Sequence, residues 1–219
     1  NYNVVVGDEA GTAITTGDSN VAIGYAALQN EDGHGLNVAI GRAALNTLNA
    51  GADGYNVAVG AEAGALMTTG VQNTFIGGLA GDATDDGTNN VAVGFEALSA
   101  NCGSGNTSVG TRAGKATTAD NNTFVGNNAG TATTTGANNT ALGFSSLSAN
   151  ILGTLNTAIG RSALASDTKG NNSVAVGYNT LNAQNFTSAT DVYNTAVGYA
   201  AGASVTTATL NTLIGGLAG

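Results

Sequence analysis

One short pattern, Asn-(Val/Thr)-x-(Val/Ile/Leu)-Gly, recurs thirteen times along the 219 residues of this chain. Of the twelve steps between its glycines, eight are 17 residues long and the others are 19, 16, 16 and 21. The glycines are Gly7, Gly24, Gly41, Gly60, Gly77, Gly94, Gly110, Gly126, Gly143, Gly160, Gly177, Gly198 and Gly215. A near-constant period of this length is typical of solenoids, in which each repeat forms one coil stacked on the next. We therefore expect one continuous domain over residues 1–219, built of 13 coils of about 17 residues.

The motif itself predicts a short β-strand in every coil. With the asparagine counted as position 1, position 2 is Val or Thr and position 4 is aliphatic, so strand-favouring side chains share one face of the strand. Position 5 is always glycine, which suits a tight bend. The rest of each coil is rich in Thr, Asn, Asp and Gly and predicts turns and a polar outer strand. Proline, which cannot donate a hydrogen bond inside a sheet, is absent from the chain. The predicted fold class is all-β, a single-chain parallel β-solenoid or β-roll.

The sizes of the residues at positions 3 and 9 are correlated. Position 3 is bulky in four coils, each of which has glycine at position 9, and the six coils with Leu at position 9 have Ala at position 3. The four bulky residues are Val5, Phe75, Phe124 and Leu213. Either the two positions exchange volume in one packed column, or glycine at position 9 marks a second type of turn. In the first case both strand faces are apolar, and the face that a thin coil cannot bury requires a partner, most simply another copy of the chain.

Asparagine occupies position 1 in 12 of the 13 coils, with Ser173 as the exception. Stacked asparagines can form a hydrogen-bonded ladder between coils. A row of amides that contacts a ligand is the alternative. Neither end of the array carries a polar capping segment, which solenoids need, so we expect the chain to be a fragment of a longer protein.

Residues 172–177, Asn-Ser-Val-Ala-Val-Gly, resemble the N-S-V-A-I-G repeat in the head domains of trimeric autotransporter adhesins. Residues 156–164 and 73–81 are similar to repeat arrays in bacteriophage tail fibres, which is the closer match because the coil here is longer than the adhesin repeat. The resemblance implies a left-handed β-roll assembled as a homotrimer. It also implies an extracellular location, on a virion tail fibre or a bacterial cell surface, and attachment to a host surface glycan or receptor.

Position 6, directly after the glycine, carries the candidate binding residues. Stacked aromatic and arginine side chains in successive coils would form a strip. These residues are Phe144, Arg161, Tyr178 and Tyr199, with Tyr25 and Arg42 as an earlier pair. The strip can serve packing between coils or subunits, or it can form a surface on which sugars stack.

Catalytic, cofactor-binding and metal-binding residues are not predicted, and the chain is not expected to be an enzyme. The one histidine, His34, is expected in an exposed loop without a second histidine or a cysteine near it, which argues against a zinc site and a catalytic triad. Asp82, Asp85 and Asp86 lie close together, but an Asp in every coil would be needed for a repeated calcium site, so a solvated loop is favoured.

The charge of the chain excludes some partners. Its net charge is −9, and its five Lys and Arg residues form no stripe, which argues against nucleic acid and anionic membranes. A run of about 18 apolar residues, which membrane insertion requires, is absent. The leading hypothesis is a rigid, non-catalytic fibre or adhesin segment. The alternatives are an ice-binding solenoid, which matches poorly because Val and Thr alternate irregularly at position 2, and a carbohydrate-processing β-solenoid, for which no carboxylates lie in register.

Overall fold

A computed structural model of the chain describes residues 2–219 and shows an all-β protein, a parallel β-solenoid with no helix among those residues. The chain divides into two compact units, Asn1–Asn106 and Thr107–Gly219. Within each unit, successive strands pair in parallel and each motif position lies opposite the same position of the next coil, as Ala22 does opposite Ala39. The predicted fold class is therefore confirmed. The single continuous domain over residues 1–219 stays a prediction.

Each repeat of the motif forms one three-residue strand. The first unit contains β1 (Val4–Val6), β2 (Val21–Ile23), β3 (Val38–Ile40), β4 (Val57–Val59), β5 (Thr74–Ile76) and β6 (Val91–Val93). The second unit contains β7 (Thr107–Val109), β8 (Thr123–Val125), β9 (Thr140–Leu142), β10 (Thr157–Ile159), β11 (Gly170–Asn171), β12 (Val174–Val176), β13 (Thr190–Asp191), β14 (Thr195–Val197) and β15 (Thr212–Ile214).

The outer segments of the coils are turns rather than the polar strand that the composition predicts. Among residues 2–219, only β11 and β13 pair with each other outside the main strands. In the other coils, threonine side chains hydrogen-bond to backbone carbonyls, as Thr47 Oγ1 does to the Ala65 carbonyl at 3.0 Å and Thr134 Oγ1 does to the Ile151 carbonyl at 3.0 Å. These bonds join successive coils and accompany backbone hydrogen bonds to the same carbonyls, so the outer segments are connected without forming strands. The prediction of an outer strand is therefore wrong for most coils.

The two faces of each strand have different environments. Position 3 points into the coil and is fully buried from β2 to β14, whether it is Ala22, Phe75 or Phe124. Positions 2 and 4 point outward and are half-buried or exposed, as Ile76 and Leu142 are. Because successive side chains of a strand alternate between faces, the β-branched pair that defines the motif must lie outside once the alanine lies inside. We call the side chains at positions 2 and 4 the outward face.

The size correlation between positions 3 and 9 is an exchange of volume. A Cβ on Gly81 would lie 2.6 Å from the Phe75 ring, and one on Gly130 would lie 2.5 Å from the Phe124 ring. Position 9 has the same left-handed backbone in both kinds of coil, with φ of 58° at Gly81 and 48° at Leu45. The second explanation, a different turn at the glycines, is therefore wrong, because the turn does not change with the residue.

Glycine at position 5 is required by both its backbone and its surroundings. Gly143 has a φ of 133°, a region that is nearly closed to residues with a Cβ. A Cβ at this position would also lie 2.7 Å from the backbone carbonyl of Gly160 in the next coil. The backbones of adjacent coils thus approach closely along the column of glycines.

The asparagines at position 1 form the predicted ladder. Each side-chain oxygen accepts the backbone N–H of the next asparagine, as Asn20 N–H donates to Asn3 Oδ1 at 2.8 Å and Asn156 N–H donates to Asn139 Oδ1 at 3.0 Å. The side-chain amides donate to backbone carbonyls, either within their own coil, as Asn139 Nδ2 does to Gly153 at 2.9 Å, or in the preceding coil, as Asn37 Nδ2 does to Gly35 at 3.1 Å. The amides are buried, so the alternative of a ligand-contacting row is not favoured.

One break in this ladder is repaired from the interior. Ser173 replaces asparagine, and a serine side chain is too short to span to the next coil. Gln184 takes over, because its Nε2 donates to Ser173 Oγ at 3.0 Å and its Oε1 accepts from Asn194 Nδ2 at 2.8 Å. The same Nε2 also donates to the buried carboxylate of Asp167. The repair keeps these buried polar groups hydrogen-bonded, as their burial demands.

Candidate binding surfaces

The second unit contains the aromatic–arginine strip that the sequence predicts, formed by Phe144, Arg161, Tyr178 and Tyr199. The Arg161 guanidinium lies 5.6 Å from the centre of the Phe144 ring and 5.7 Å from that of Tyr178. The rings of Tyr178 and Tyr199 are stacked, with centroids 5.3 Å apart and an angle of 10° between their planes. Because the four residues share position 6 in successive coils, the rise of the solenoid brings them into one file.

Stacking within the strip decides which parts of the rings a ligand can reach. One face of Tyr178 is covered by Arg161 and the other by Tyr199, so its exposed surface is mainly the ring edge. A sugar packs its C–H groups on a ring face rather than on an edge. One face of Tyr199 is directed toward the next coil, where Gly216 at position 6 has no side chain. Cation–π and ring contacts of this kind stabilise neighbouring coils.

Tyr25 and Arg42, the earlier pair, each associate with a carboxylate. A side-chain hydrogen bond to Glu9 and its charge raise the pKa of Tyr25. The Arg42 guanidinium forms an ion pair with Glu62. No cation–π contact joins Tyr25 and Arg42 in the part of the chain that the structure describes. Tyr25 and Arg42 thus each pair with a carboxylate of the first unit rather than with each other.

The outward face carries aliphatic side chains in both units. In β1–β6, eleven of the twelve residues at positions 2 and 4 are Val or Ile, and Thr74 is the exception. In the seven main strands of the second unit, position 4 is always aliphatic, while position 2 is Thr in six strands, and Val174 is the exception. Val and Thr are thus sorted by unit rather than mixed irregularly, which corrects the interpretation from sequence.

One cluster of potential metal ligands lies among residues 2–219, and sequence reasoning missed it. It consists of Glu31, Asp32 and His34, whose ligand atoms all lie within 4.8 Å of one another. Glu31 is fully buried, and its carboxylate accepts the His34 N–H at 3.2 Å and the Ala50 N–H at 3.1 Å. Desolvation by burial raises the pKa of the Glu31 carboxyl, and the two backbone hydrogen bonds oppose that shift. Alignment of the coils could have revealed it, because Glu31 occupies position 12, which holds the apolar Leu48 in the next coil.

The histidine of this cluster is half-buried rather than freely exposed. The His34 side chain is 35% exposed, and its Nδ1 lies 3.6 Å from Glu31 Oε1. That Nδ1 atom is buried and has no hydrogen-bond partner. The acidic residues near Asp85 show no such convergence, because Asp85 instead accepts hydrogen bonds from the side chain of Thr68 and from its backbone N–H.

No pocket that could enclose a small molecule is present among residues 2–219. Within the same residues, no helix has the length and apolar character needed to cross a membrane.

Comparison with known proteins gives no match to this chain. No family model matches it, and neither a curated protein nor a solved structure does. The class of protein that can be stated is the parallel β-solenoid defined by its fold. The resemblance to tail-fibre and adhesin repeats, with the left-handed trimer that it implies, stays a prediction.

Proposed function

We propose that this chain is a rigid, non-catalytic segment of an oligomeric fibre or adhesin, in which copies of the chain pack through their outward faces. The observation that carries the proposal is the apolar character of that face in the first unit, where only Thr74 interrupts the Val and Ile side chains. Parallel sheets are usually covered on both faces, and each coil here covers only the inner one.

A second copy of the chain is the cover that fits this face best. Its strands have the same spacing of about 4.8 Å, so every outward residue meets an equivalent residue at the same height. Closed symmetry limits such an assembly to a few copies, and three are proposed from the resemblance to trimeric repeats. A partner without this spacing would match a few strands and then fall out of register.

The proposed task follows from the assembly. A stack of coils with a covered apolar face is stiff and suits a shaft or a spacer that presents a receptor-binding surface. We place it outside the cell, on a virion tail fibre or a bacterial surface, with a host glycan or receptor as the target. The support for this location is the resemblance of the motif.

Solution mass tests the assembly. Sedimentation equilibrium of the chain at micromolar concentration is expected to give three times the 21.2 kDa of the monomer. Ile40→Lys, which puts a charge in the middle of the first unit's outward face, is expected to dissociate the oligomer. Thr69→Lys is the matched control, because Thr69 is exposed in a turn away from that face. A stable, monodisperse monomer of the unmodified chain would refute the proposal.

Ice binding is the second candidate, and one observation favours it. Six threonines of the second unit form a column on the outward face, beside a column of aliphatic residues about 7 Å away along each strand. A flat, regular array of hydroxyl and methyl groups can order the water layer next to it. The two candidates use the same face, so a trimer without thermal hysteresis supports the first, and a monomer with thermal hysteresis supports the second.

A further inference from the structure

Glu31 is a carboxylate buried where adjacent coils bury aliphatic side chains. Position 12 is Ile14 in the preceding coil and Leu48 in the following one, and both pack in the hydrophobic core of the first unit. Burial of a carboxylate is costly unless partners compensate for the lost water. Two backbone N–H groups do so in part, those of His34 and Ala50.

A second buried carboxylate, Asp167, shows what such a residue does without a histidine. It occupies position 12 of a coil in the second unit and accepts the N–H of Gly170 at 3.0 Å and that of Phe186 at 3.3 Å. Both buried acids thus bond to the residue three positions ahead and to the next coil. In each case that next coil carries an insertion, since its step is 19 or 21 residues rather than 17. The shared role is to anchor the inserted loop.

The two sites differ in what else surrounds the carboxylate. The second oxygen of Asp167 is occupied by the side-chain amide of Gln184. At Glu31 the additional groups are an imidazole nitrogen and a second carboxylate: the buried Nδ1 of His34 lies 3.6 Å from Oε1 without a hydrogen-bond partner, and a carboxylate oxygen of Asp32 lies within 4.8 Å. Loop anchoring does not require either group, as Asp167 demonstrates.

We propose that Glu31 Oε1, His34 Nδ1 and a carboxylate oxygen of Asp32 form a binding site for a divalent transition-metal ion, with Zn²⁺ as the reference ion. One imidazole nitrogen with two carboxylates is a ligand set that such ions accept. In the tetrahedral geometry that Zn²⁺ prefers, bonds of about 2.0–2.2 Å place ligand atoms about 3.3–3.6 Å apart. The 3.6 Å between Glu31 Oε1 and His34 Nδ1 already fits this range, and separations of up to 4.8 Å close with a shift of about 1.5 Å, which the exposed Asp32 can make.

The bound ion would fix the loop of residues 31–34 and, through the bond from Ala50 to Glu31, the inserted loop of the next coil. Its positive charge would stabilise the Glu31 carboxylate, which burial deprives of contact with water. All three ligands come from one coil of one chain, so the site is independent of the proposed oligomer. A failure of the metal test therefore leaves the oligomer proposal intact, and the reverse also holds.

Calorimetric titration of Zn²⁺ into the tag-free chain tests the site. One ion per chain is expected. His34→Ala and Asp32→Asn are each expected to weaken binding by at least about 10–100-fold, the loss seen when even an outer-shell partner of a metal ligand is removed. Neither side chain is fully buried, so both variants should fold. Asp167→Asn is the matched control, since it removes the other buried position-12 acid and should leave Zn²⁺ affinity unchanged.

The single histidine gives a second, direct readout. His34 is the only histidine in the chain, so the imidazole NMR signals need no assignment. Zn²⁺ is expected to shift the Nδ1 resonance, because that nitrogen faces Glu31. Coordination through Nε2, an unchanged imidazole spectrum at saturating Zn²⁺, or equal Zn²⁺ affinity in His34→Ala would each overturn the proposal.

Discussion

The exchange of volume between Phe124 and Gly130 can be tested by moving bulk from one position to the other. Phe124→Ala alone empties a fully buried site and is expected to cost about 3–5 kcal/mol. Gly130→Leu alone forces a side chain against the Phe124 ring, since even a Cβ would lie 2.5 Å from it. Overpacking costs about 1–3 kcal/mol, and a left-handed backbone at a residue with a Cβ adds about 1–2 kcal/mol.

The double variant Phe124→Ala/Gly130→Leu should lose less stability than the sum of the two single losses. It converts this coil into the Ala and Leu type of the next one, which has Ala141 at position 3 and Leu147 at position 9. Leu147 adopts a φ of 51°, close to the 57° of Gly130, so the backbone already accepts leucine at this place. We expect a favourable coupling of about 2–3 kcal/mol, near the top of the range for residues in contact.

Urea unfolding followed by circular dichroism measures the four members of this cycle. Phe124→Ala with Gly202→Leu is the control pair, because Gly202 lies in the same unit but its added Cβ would meet Leu181 and Leu213 instead. That pair should be additive. A coupling below about 0.5 kcal/mol between Phe124→Ala and Gly130→Leu would refute the exchange of volume.

Three further substitutions test other contacts by the same unfolding assay. Gln184→Leu should cost at least about 2 kcal/mol of unfolding free energy, because it leaves buried polar groups unpaired. The control Met67→Leu, at the same coil position, should cost less than about 1.5 kcal/mol. Equal losses would contradict the repair role of Gln184. Arg161→Ala should cost about 1–2 kcal/mol for its two ring contacts, and no loss would argue against the strip as a packing element. Gly143→Ala should lower the free energy of unfolding by at least about 3 kcal/mol. The control Gly51→Ala should be nearly neutral, because Gly51 has open space around it. A tolerated Gly143→Ala would contradict the close approach of adjacent coils.

Register explains which features of the candidate sites could be found from the sequence. The strip formed by Phe144, Arg161, Tyr178 and Tyr199 follows from counting residues after each glycine, since equal positions in successive coils must stack. The same count would have placed Glu31 beside Leu48, but a charged residue in a polar segment reads as a loop residue until its burial is known. The neighbouring His34 was for the same reason expected to be exposed.

Other features depended on contacts that a residue pattern does not contain. The pattern shows two apolar faces on each strand, but only packing shows that the alanine face is inside and the Val, Thr and Ile face is outside. Likewise, the choice between volume exchange and a second turn type required the backbone angles at Gly81 and Leu45, which proved alike.

By itself the sequence determined the class of fold, the number and spacing of the motif strands and the asparagine ladder. These follow from local preferences repeated at a fixed interval: β-branched residues two apart, a bend that accepts only glycine, and an asparagine that bonds to the asparagine of the next coil. Only the tertiary structure decided which strand face is covered, which rings cover each other and which acids are buried. The reason is that burial is set by the atoms of neighbouring coils, about 17 residues away, and no single repeat contains them.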